Sequence, residues 1–308
     1  MKLSIIIVSY NVRDHLAACL RSIYGTCAGL DPEVIVVDNA SADGSVQMVR
    51  DRFPQVSLIV NAENIGFARA NNQGYAVSHG EYVLLLNPDT LIKPGAVQVV
   101  LRFMETVPDA GLAGCRLINT DGTVQKSIMN MPSTAEYLSR ALFIDRLFFD
   151  RHKKATYYRG KPFTVGMVSG AFMMVRRGAL RDGSLFKDNC FLYTEEPELC
   201  IRLWHNGWKV YFTPDGEIVH HGGQSTQGDE IRHFIELQRS MKQLFSRHWT
   251  GWGRIAISGS YWAHLATSTI ASLIGVGSRS GRKRFYLFFR AAINYAFLRK
   301  TTPVTGHE

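Results

Sequence analysis

Disulfide chemistry has little to work with in this sequence. The five cysteines, Cys19, Cys27, Cys115, Cys190 and Cys200, are odd in number, scattered, and never spaced as C-x-x-C. That excludes a disulfide framework and a structural zinc site, and makes a reducing compartment the default. There is no internal repeat. The opening MKLSIIIVSYN reads as a strand and not as a signal peptide, because its apolar run is short, β-branched and followed by polar residues. Acid is nearly missing from one region. Residues 246–308 hold nine Lys/Arg and a single acid, Glu308, so this stretch carries +8 of the formal net charge of +9. What is present in quantity is apolar residue: 46% of 308 residues, enough for one or two domains with a sizeable core. A disordered chain, a collagen and a disulfide mini-protein are excluded.

A near-neutral body with a basic tail implies a separate partner for the tail. Ile255 to Gly277 is a 23-residue run without Lys, Arg, Asp or Glu. It is long enough to span a bilayer. Ser, Thr, Gly and His264 dilute it, which favours an interfacial or partly inserted helix. The cluster Arg279, Arg282, Lys283, Arg284 and the aromatic run Phe285 to Phe289 follow. Cations set among long apolar runs suit an anionic membrane surface, contacted through 250–300, and do not suit nucleic acid.

The first third alternates strand-like and helix-like segments. Leu3–Val8, Glu33–Val37, Val56–Val60 and Tyr82–Leu86 are short apolar runs, and Asp14–Tyr24, Ser45–Phe53 and Phe67–Ser78 have helical spacing. Strands apolar on both faces, alternating with helices, predict a doubly wound, mostly parallel α/β sheet over 1–115. Ligands bind at the carboxyl ends of such strands. Residues 116–163 are less regular, and their basic, aromatic stretch 151–161 reads as acceptor-facing. Strand patterns return over Phe163–Val175, Lys209–Phe212 and Glu217–Val219. Helices are predicted from near Pro197 to Asn206 and over Asp229–Trp249. The expected organisation is 1–228 as one catalytic domain, with 1–115 as its nucleotide-binding half and 116–228 as its acceptor half. A helical, basic region, 229–308, completes the chain.

Five places carry candidate chemistry. Asp38 ends a buried strand and enters the turn Asn39 to Ser45; it is either turn chemistry or an acceptor for a ligand's ring N–H. Asn64-Ile65-Gly66 opens a helix that carries Arg69, a suitable start for phosphate. Asn87-Pro88-Asp89 follows four buried residues, where an acid is expensive unless paired or metal-bound, and one carboxylate with a diphosphate holds Mg²⁺ or Mn²⁺. Glu195-Glu196-Pro197-Glu198 puts more carboxylate at a helix start than the dipole needs. Glu198 suits the dipole, and Glu195 and Glu196 are general-base candidates. His220-His221-Gly222-Gly223 follows an apolar strand; alternate residues face opposite sides, so one histidine at most faces the site. Imidazole suits Mn²⁺ better than Mg²⁺.

Taken in order, Val8-Ser9-Tyr10-Asn11, Val36 to Ser45, Asn64 to Asn72, Leu84 to Asp89, Ser169 to Met173, Glu195-Glu196 with Leu199-Cys200, and His220 to Gly223 closely resemble family 2 inverting glycosyltransferases of the GT-A fold, in particular the rhamnosyltransferase-like branch. The resemblance covers about residues 1–225. It implies that Asp38 reads the N–H of uracil or thymine, and that Ser9, Tyr10 and Asn11 line the nucleotide pocket. It implies that Asn64, Gly66, Arg69 and Asn71 lie by the sugar and diphosphate. Asn87-Pro88-Asp89 stands for the family's Asp-x-Asp, with Asp89 on the metal and His220 as an additional metal contact. Ser169, Gly170 and Ala171 would form a wall near the donor sugar. The commoner Glu-Asp-x-Asp is here Glu195-Glu196-Pro197-Glu198, so the implied base, Glu196, is one methylene longer than Asp, and Glu195 is its alternative. The implied reaction is metal-dependent transfer of a hexose, with rhamnose from dTDP-rhamnose as the lead, to a glycan or polyprenyl-diphosphate-linked hydroxyl. A cytoplasmic enzyme on the inner face of the cell membrane is expected. Two rivals are a weak or inactive sugar-nucleotide- or glycan-binding homologue and a sugar-1-phosphate nucleotidyltransferase. The second needs a glycine-rich loop that Ser9–Arg13 lacks.

Overall fold

The computed structural model describes residues 1–27, 29–144, 160–181, 183–187, 194–222, 230–273, 285–286 and 288–289. These fall into two compact units: 1–131 with 153–228, and 132–152 with 229–308. The arginine cluster at 279–284, Gly223, Cys190 and most of the 151–161 stretch lie outside the described residues.

The first unit is built on a nine-stranded sheet. Its strands are β1 (Leu3–Ser9), β2 (Glu33–Asp38), β3 (Ser57–Val60), β4 (Tyr82–Leu86), β5 (Thr90–Ile92), β6 (Ala110–Ile118), β8 (Phe163–Thr164), β10 (Phe172–Arg176) and β11 (Lys209–His220). The order is β3-β2-β1-β4-β10-β6-β11-β5, with β8 on β11. β7 (Ile128–Met129) and β9 (Met167–Val168) form a separate antiparallel pair. The four strands β3, β2, β1 and β4 run parallel, as do β6 and β11; β10 lies antiparallel between β4 and β6.

Side-chain alternation covers both faces of this sheet. Ile5, Ile7, Val34, Val36 and Leu84 face helices α1 (Arg13–Thr26), α2 (Ser45–Arg52) and α4 (Ala96–Thr106), while Ile6, Ile35, Val37, Val83 and Leu85 face α3 (Phe67–Val77) and α6 (Glu195–His205). Each fully buried aliphatic side chain contributes about 1.5–3 kcal/mol, so these central strands hold the unit together. α4 ends where Arg176 reaches across from β10: its guanidinium donates to Met104 O in the last turn and to the carbonyls of Val107 and Ala110 just beyond it. The four described cysteines are free and buried, and burial pushes the Cys19 and Cys200 thiols up to about 12, which leaves them chemically inert near neutral pH.

Three elements differ from the sequence reading. The single strand pattern over 163–175 resolves into β8, β9 and β10, broken at Gly166 and at the Ser169–Ala171 turn. The two patterns at 209–212 and 217–219 are one strand, β11, with a register shift between Thr213 and Glu217. α6 begins at Glu195, two residues before Pro197; a proline in the first turn removes an N–H that has no partner within the helix.

The second unit is helical: α5 (Thr134–Ala141), α7 (Glu230–His248) and α8 (Gly251–Leu273). Tyr137 of α5 lies edge-on to Phe245 and Tyr261 at 5.8 and 4.8 Å, and the Tyr261 hydroxyl donates to Gln238 Oε1 at 2.7 Å. These contacts hold α5 within the helical unit. Among the described residues, no helix is long and apolar enough to cross a membrane.

Candidate functional site

Strand polarity gathers the candidate residues at one edge of the sheet. β1, β2 and β4 are parallel and end at Ser9, Asp38 and Leu86, with Ser9 beside Asp38 in register. β10 is antiparallel, so its beginning lies where β4 ends: Phe172 pairs with Leu86, and Asn87 N donates to Ala171 O at 3.1 Å. β11 arrives at the same edge through β5, where His220 pairs with Thr90.

At the β1 and β2 ends, the loops are held in an unfavourable backbone. Asn11 (φ 53°) and Ala40 (φ 67°) occupy the left-handed region, which non-glycine residues avoid. Cross-loop hydrogen bonds hold them there: Asn11 N donates to Ser41 Oγ at 2.9 Å, and Ala42 N donates to Asn11 Oδ1 at 2.8 Å. Asp38 is buried and its Oδ1 accepts from Ser41 N at 2.8 Å. Its Oδ2 and the neighbouring Ser9 Oγ are buried without a hydrogen-bond partner. Two orphaned polar atoms side by side are expensive, and a bound donor group would relieve both. Tyr10, at the same loop, is exposed.

The loop after β3 is tied to β2 by amides. Asn61 donates to Asn39 Oδ1 at 2.9 Å and exchanges bonds with Gln73; Asn39 donates to Asn64 Oδ1 at 3.0 Å, which in turn accepts from Gly66 N at 3.0 Å. Gly66 sits at φ +86°, a conformation glycine takes without strain, and turns the chain into α3. Arg69 is exposed on the first turn of α3. Asn71 points inward, buried, with its amide donating to Phe67 O at 2.9 Å.

At the β4 end, Asp89 is buried and its Oδ1 lies 3.4 Å from His220 Nε2. That nitrogen is itself buried and makes no full hydrogen bond. His220 Nδ1 faces Gln125 Oε1 at 2.8 Å, and the Gln125 amide nitrogen donates to Asn119 Oδ1 and to His220 O. Gln125 therefore offers only its oxygen to the ring, so a neutral His220 carries its proton on Nδ1 and aims the Nε2 lone pair at Asp89. Burial pushes the Asp89 carboxyl up, but His220 beside it, when its ring is protonated on Nε2 as well, outweighs burial with help from His15 and leaves the group below its usual range. One carboxylate and one imidazole nitrogen at this separation fit two positions around a single Mg²⁺ or Mn²⁺, with a diphosphate and water to complete it. Among the described residues no group of three or more His, Cys, Asp or Glu forms a closed metal site.

The wall and the candidate base meet at the start of α6. Ser169 N donates to Ser127 O at 2.9 Å, fixing the turn. Gly170 is buried, and a Cβ there would lie 2.1 Å from Glu196 Oε1 and 2.9 Å from its Cδ. The Glu196 carboxylate therefore occupies the space that a side chain at 170 would take. That is where the extra methylene goes. Burial pushes the Glu196 carboxyl up, with only its own backbone N–H at the helix start pulling it back. Glu195 and Glu198 are buried, and Glu198 lies 3.4 Å from the Arg202 guanidinium one turn on. Asn39 and Asn61 lie at strand ends where the sequence places ligand binding, whereas Gln125 is not a sequence candidate, and nothing local marks it, 95 residues from His220.

The chain resembles several known proteins in sequence and in fold. A model of glycosyl transferase family 2 matches residues 4–183. The N-acetylglucosaminyl-diphospho-decaprenol L-rhamnosyltransferase of Mycobacterium tuberculosis is 28% identical over 301 residues, 92% of this chain and 97% of that protein. The rhamnosyltransferase WbbL of Escherichia coli K12 is 23% identical over 229 residues, 70% of this chain and 82% of that one. Among solved structures, the mannosyltransferase PcManGT of Pyrobaculum calidifontis, in complex with GDP-Man and Mn²⁺, superposes with a TM-score of 0.62 at 17% identity, covering 96% of this chain and 87% of its own. TarS of S. aureus, in complex with UDP-GlcNAc, does so with a TM-score of 0.59 at 14% identity, covering 96% and 81%. With more than half of its length matched by the family model, the chain belongs to glycosyl transferase family 2.

Proposed function

We propose that this chain is an inverting rhamnosyltransferase that moves rhamnose from a dTDP donor to a hydroxyl of a polyprenyl-diphosphate-linked N-acetylglucosamine, on the cytoplasmic face of the cell membrane. The observation that carries the reading is the contact of the Glu196 carboxylate with the Gly170 wall, at the sheet edge that also holds Asp38 and Asp89. The full-length rhamnosyltransferase relative supports the choice of donor sugar and acceptor.

Each residue has a task in this scheme. Asp38 Oδ2 accepts the ring N–H of the pyrimidine, and Ser9, Tyr10 and Asn11 line that pocket. Asn64, Gly66 and Arg69 shape the diphosphate end, Arg69 by charge, and Asn71 braces the helix turn behind them. Asp89 and His220, with Asn87 beside them, would hold a divalent cation, which would supply charge neutralisation on the leaving diphosphate. Ser169, Gly170 and Ala171 hold the donor sugar. Glu196 takes the proton of the acceptor hydroxyl as that oxygen bonds to the anomeric carbon from the face opposite the leaving group. The bond from the anomeric carbon to the diphosphate oxygen breaks with its electron pair, and the configuration inverts. A carboxylate raised by burial is a stronger base than a free one, which suits this step.

The test is transfer from dTDP-rhamnose to a soluble N-acetylglucosaminyl-diphospho-lipid analogue, with Glu196→Gln alongside. Loss of transfer with retained nucleotide binding is expected. Wild-type protein that binds nucleotide but transfers nothing from dTDP-, UDP- or GDP-sugars would favour the inactive binding homologue.

A further inference from the structure

The second unit carries an apolar stripe that its own helices leave uncovered. On α8, Trp252 (84% exposed), Ile255 (60%), Trp262 (46%), Ile270 (65%) and Leu273 (52%) face solvent, while Ile257, Ser260, Tyr261 and Leu265 are buried. At 3.6 residues per turn the five exposed residues fall within an arc of about 80°, opposite the buried four. The stripe is about 32 Å long, at 1.5 Å per residue. Two tryptophans along one face are amphipathic anchors for a boundary between water and hydrocarbon.

Charge decides what the stripe meets. Residues 237–307 hold eleven Lys/Arg and no Asp or Glu. A second copy of this chain would bring two such acid-free regions together, and like charges would oppose the contact. An anionic lipid surface has the opposite sign and an apolar interior, and it attracts basic segments. α8 also fails to qualify as a span, which fits a helix lying in the interface plane.

We infer that the Trp252–Leu273 face of α8 docks in the plane of an anionic bilayer. This deepens the lipid-linked reading of the acceptor and rests on it for its purpose, but the surface is tested without any transfer reaction. The probe is full-length protein mixed with vesicles of phosphatidylcholine, with or without phosphatidylglycerol, read by co-sedimentation. Expected are binding to the anionic vesicles, weaker binding to neutral ones, and a loss of about tenfold in Trp252→Ser/Trp262→Ser. Both tryptophans are exposed, so the double variant should fold, and transfer to a water-soluble acceptor analogue should stay at wild-type rate. Glu196→Gln should bind vesicles normally, which separates failure of the catalytic reading from failure of this one. Unchanged vesicle binding in the double variant would overturn the inference. So would a wild-type dimer by analytical ultracentrifugation that the double variant abolishes while vesicles bind neither.

Discussion

Two carboxylates at the same edge of the sheet are driven in opposite directions. Asp89 and Glu196 are both pushed up by burial, but Asp89 has His220 at 3.4 Å and ends below its usual range, whereas Glu196 faces a glycine and stays above it. The difference teaches that a partner, and not burial, separates the two roles proposed for them. A carboxylate kept charged suits a cation; one kept hungry for a proton suits a base.

The largest blow to that comparison should come from Glu196→Gln. Removing a general base typically lowers turnover by about 10²–10⁴-fold, and initial rates of sugar transfer from the proposed donor measure it. Gly170→Ala should come next. An added Cβ must displace the Glu196 carboxylate, and a displacement near 1 Å can lower the rate about 10²-fold. Glu196→Asp in the same background shortens the side chain and should restore part of the rate, while Glu196→Asp alone should lower it. A double variant no better than Gly170→Ala would show that the glycine serves the backbone and not the base. Asp38→Ala tests the far end of the pocket. Losing an acceptor for a ring N–H is worth about 1.5–3 kcal/mol, so the nucleotide Kd should rise about 10–100-fold by isothermal titration.

The smallest effect is on stability, and its sign is informative. Glu196 has a folded pKa above its ordinary value of 4.5, so between those two pH values the folded state binds the extra proton. Stability therefore falls as pH rises through that window, and the cost is fully present above the folded pKa. Glu196→Gln removes it. The variant should melt higher than wild type near neutral pH, with the gain vanishing below 4.5. An unchanged melting temperature across the range would mean that Glu196 is not held in the strained state described.

Much of this was legible because the chemistry sits next to strong local signals. The ends of β1, β2 and β4 follow continuous apolar runs, so Ser9, Asp38 and Asp89 could be placed at strand ends from spacing alone. β6 was not, because Ala110-Gly111-Leu112-Ala113-Gly114 is made of small residues. Its glycines are filled from outside, Gly111 by Trp208 and Gly114 by Val168, a tertiary fact with no local trace. The antiparallel placement of β10, which brings Ser169–Ala171 back to the β4 end, is likewise a matter of topology. The resemblance named Glu196 as the base, but only the structure shows that a glycine 26 residues earlier accommodates the longer side chain.

The division of labour between the two carboxylates is tested most directly by thermal-shift titration of wild type, Asp89→Asn and Glu196→Gln with dTDP, with and without Mn²⁺. A ligand that binds the folded state alone raises the melting temperature by mass action. The account predicts that Glu196→Gln keeps a metal-dependent shift and Asp89→Asn loses it. A metal-dependent shift that survives in Asp89→Asn, or disappears in Glu196→Gln, would contradict it.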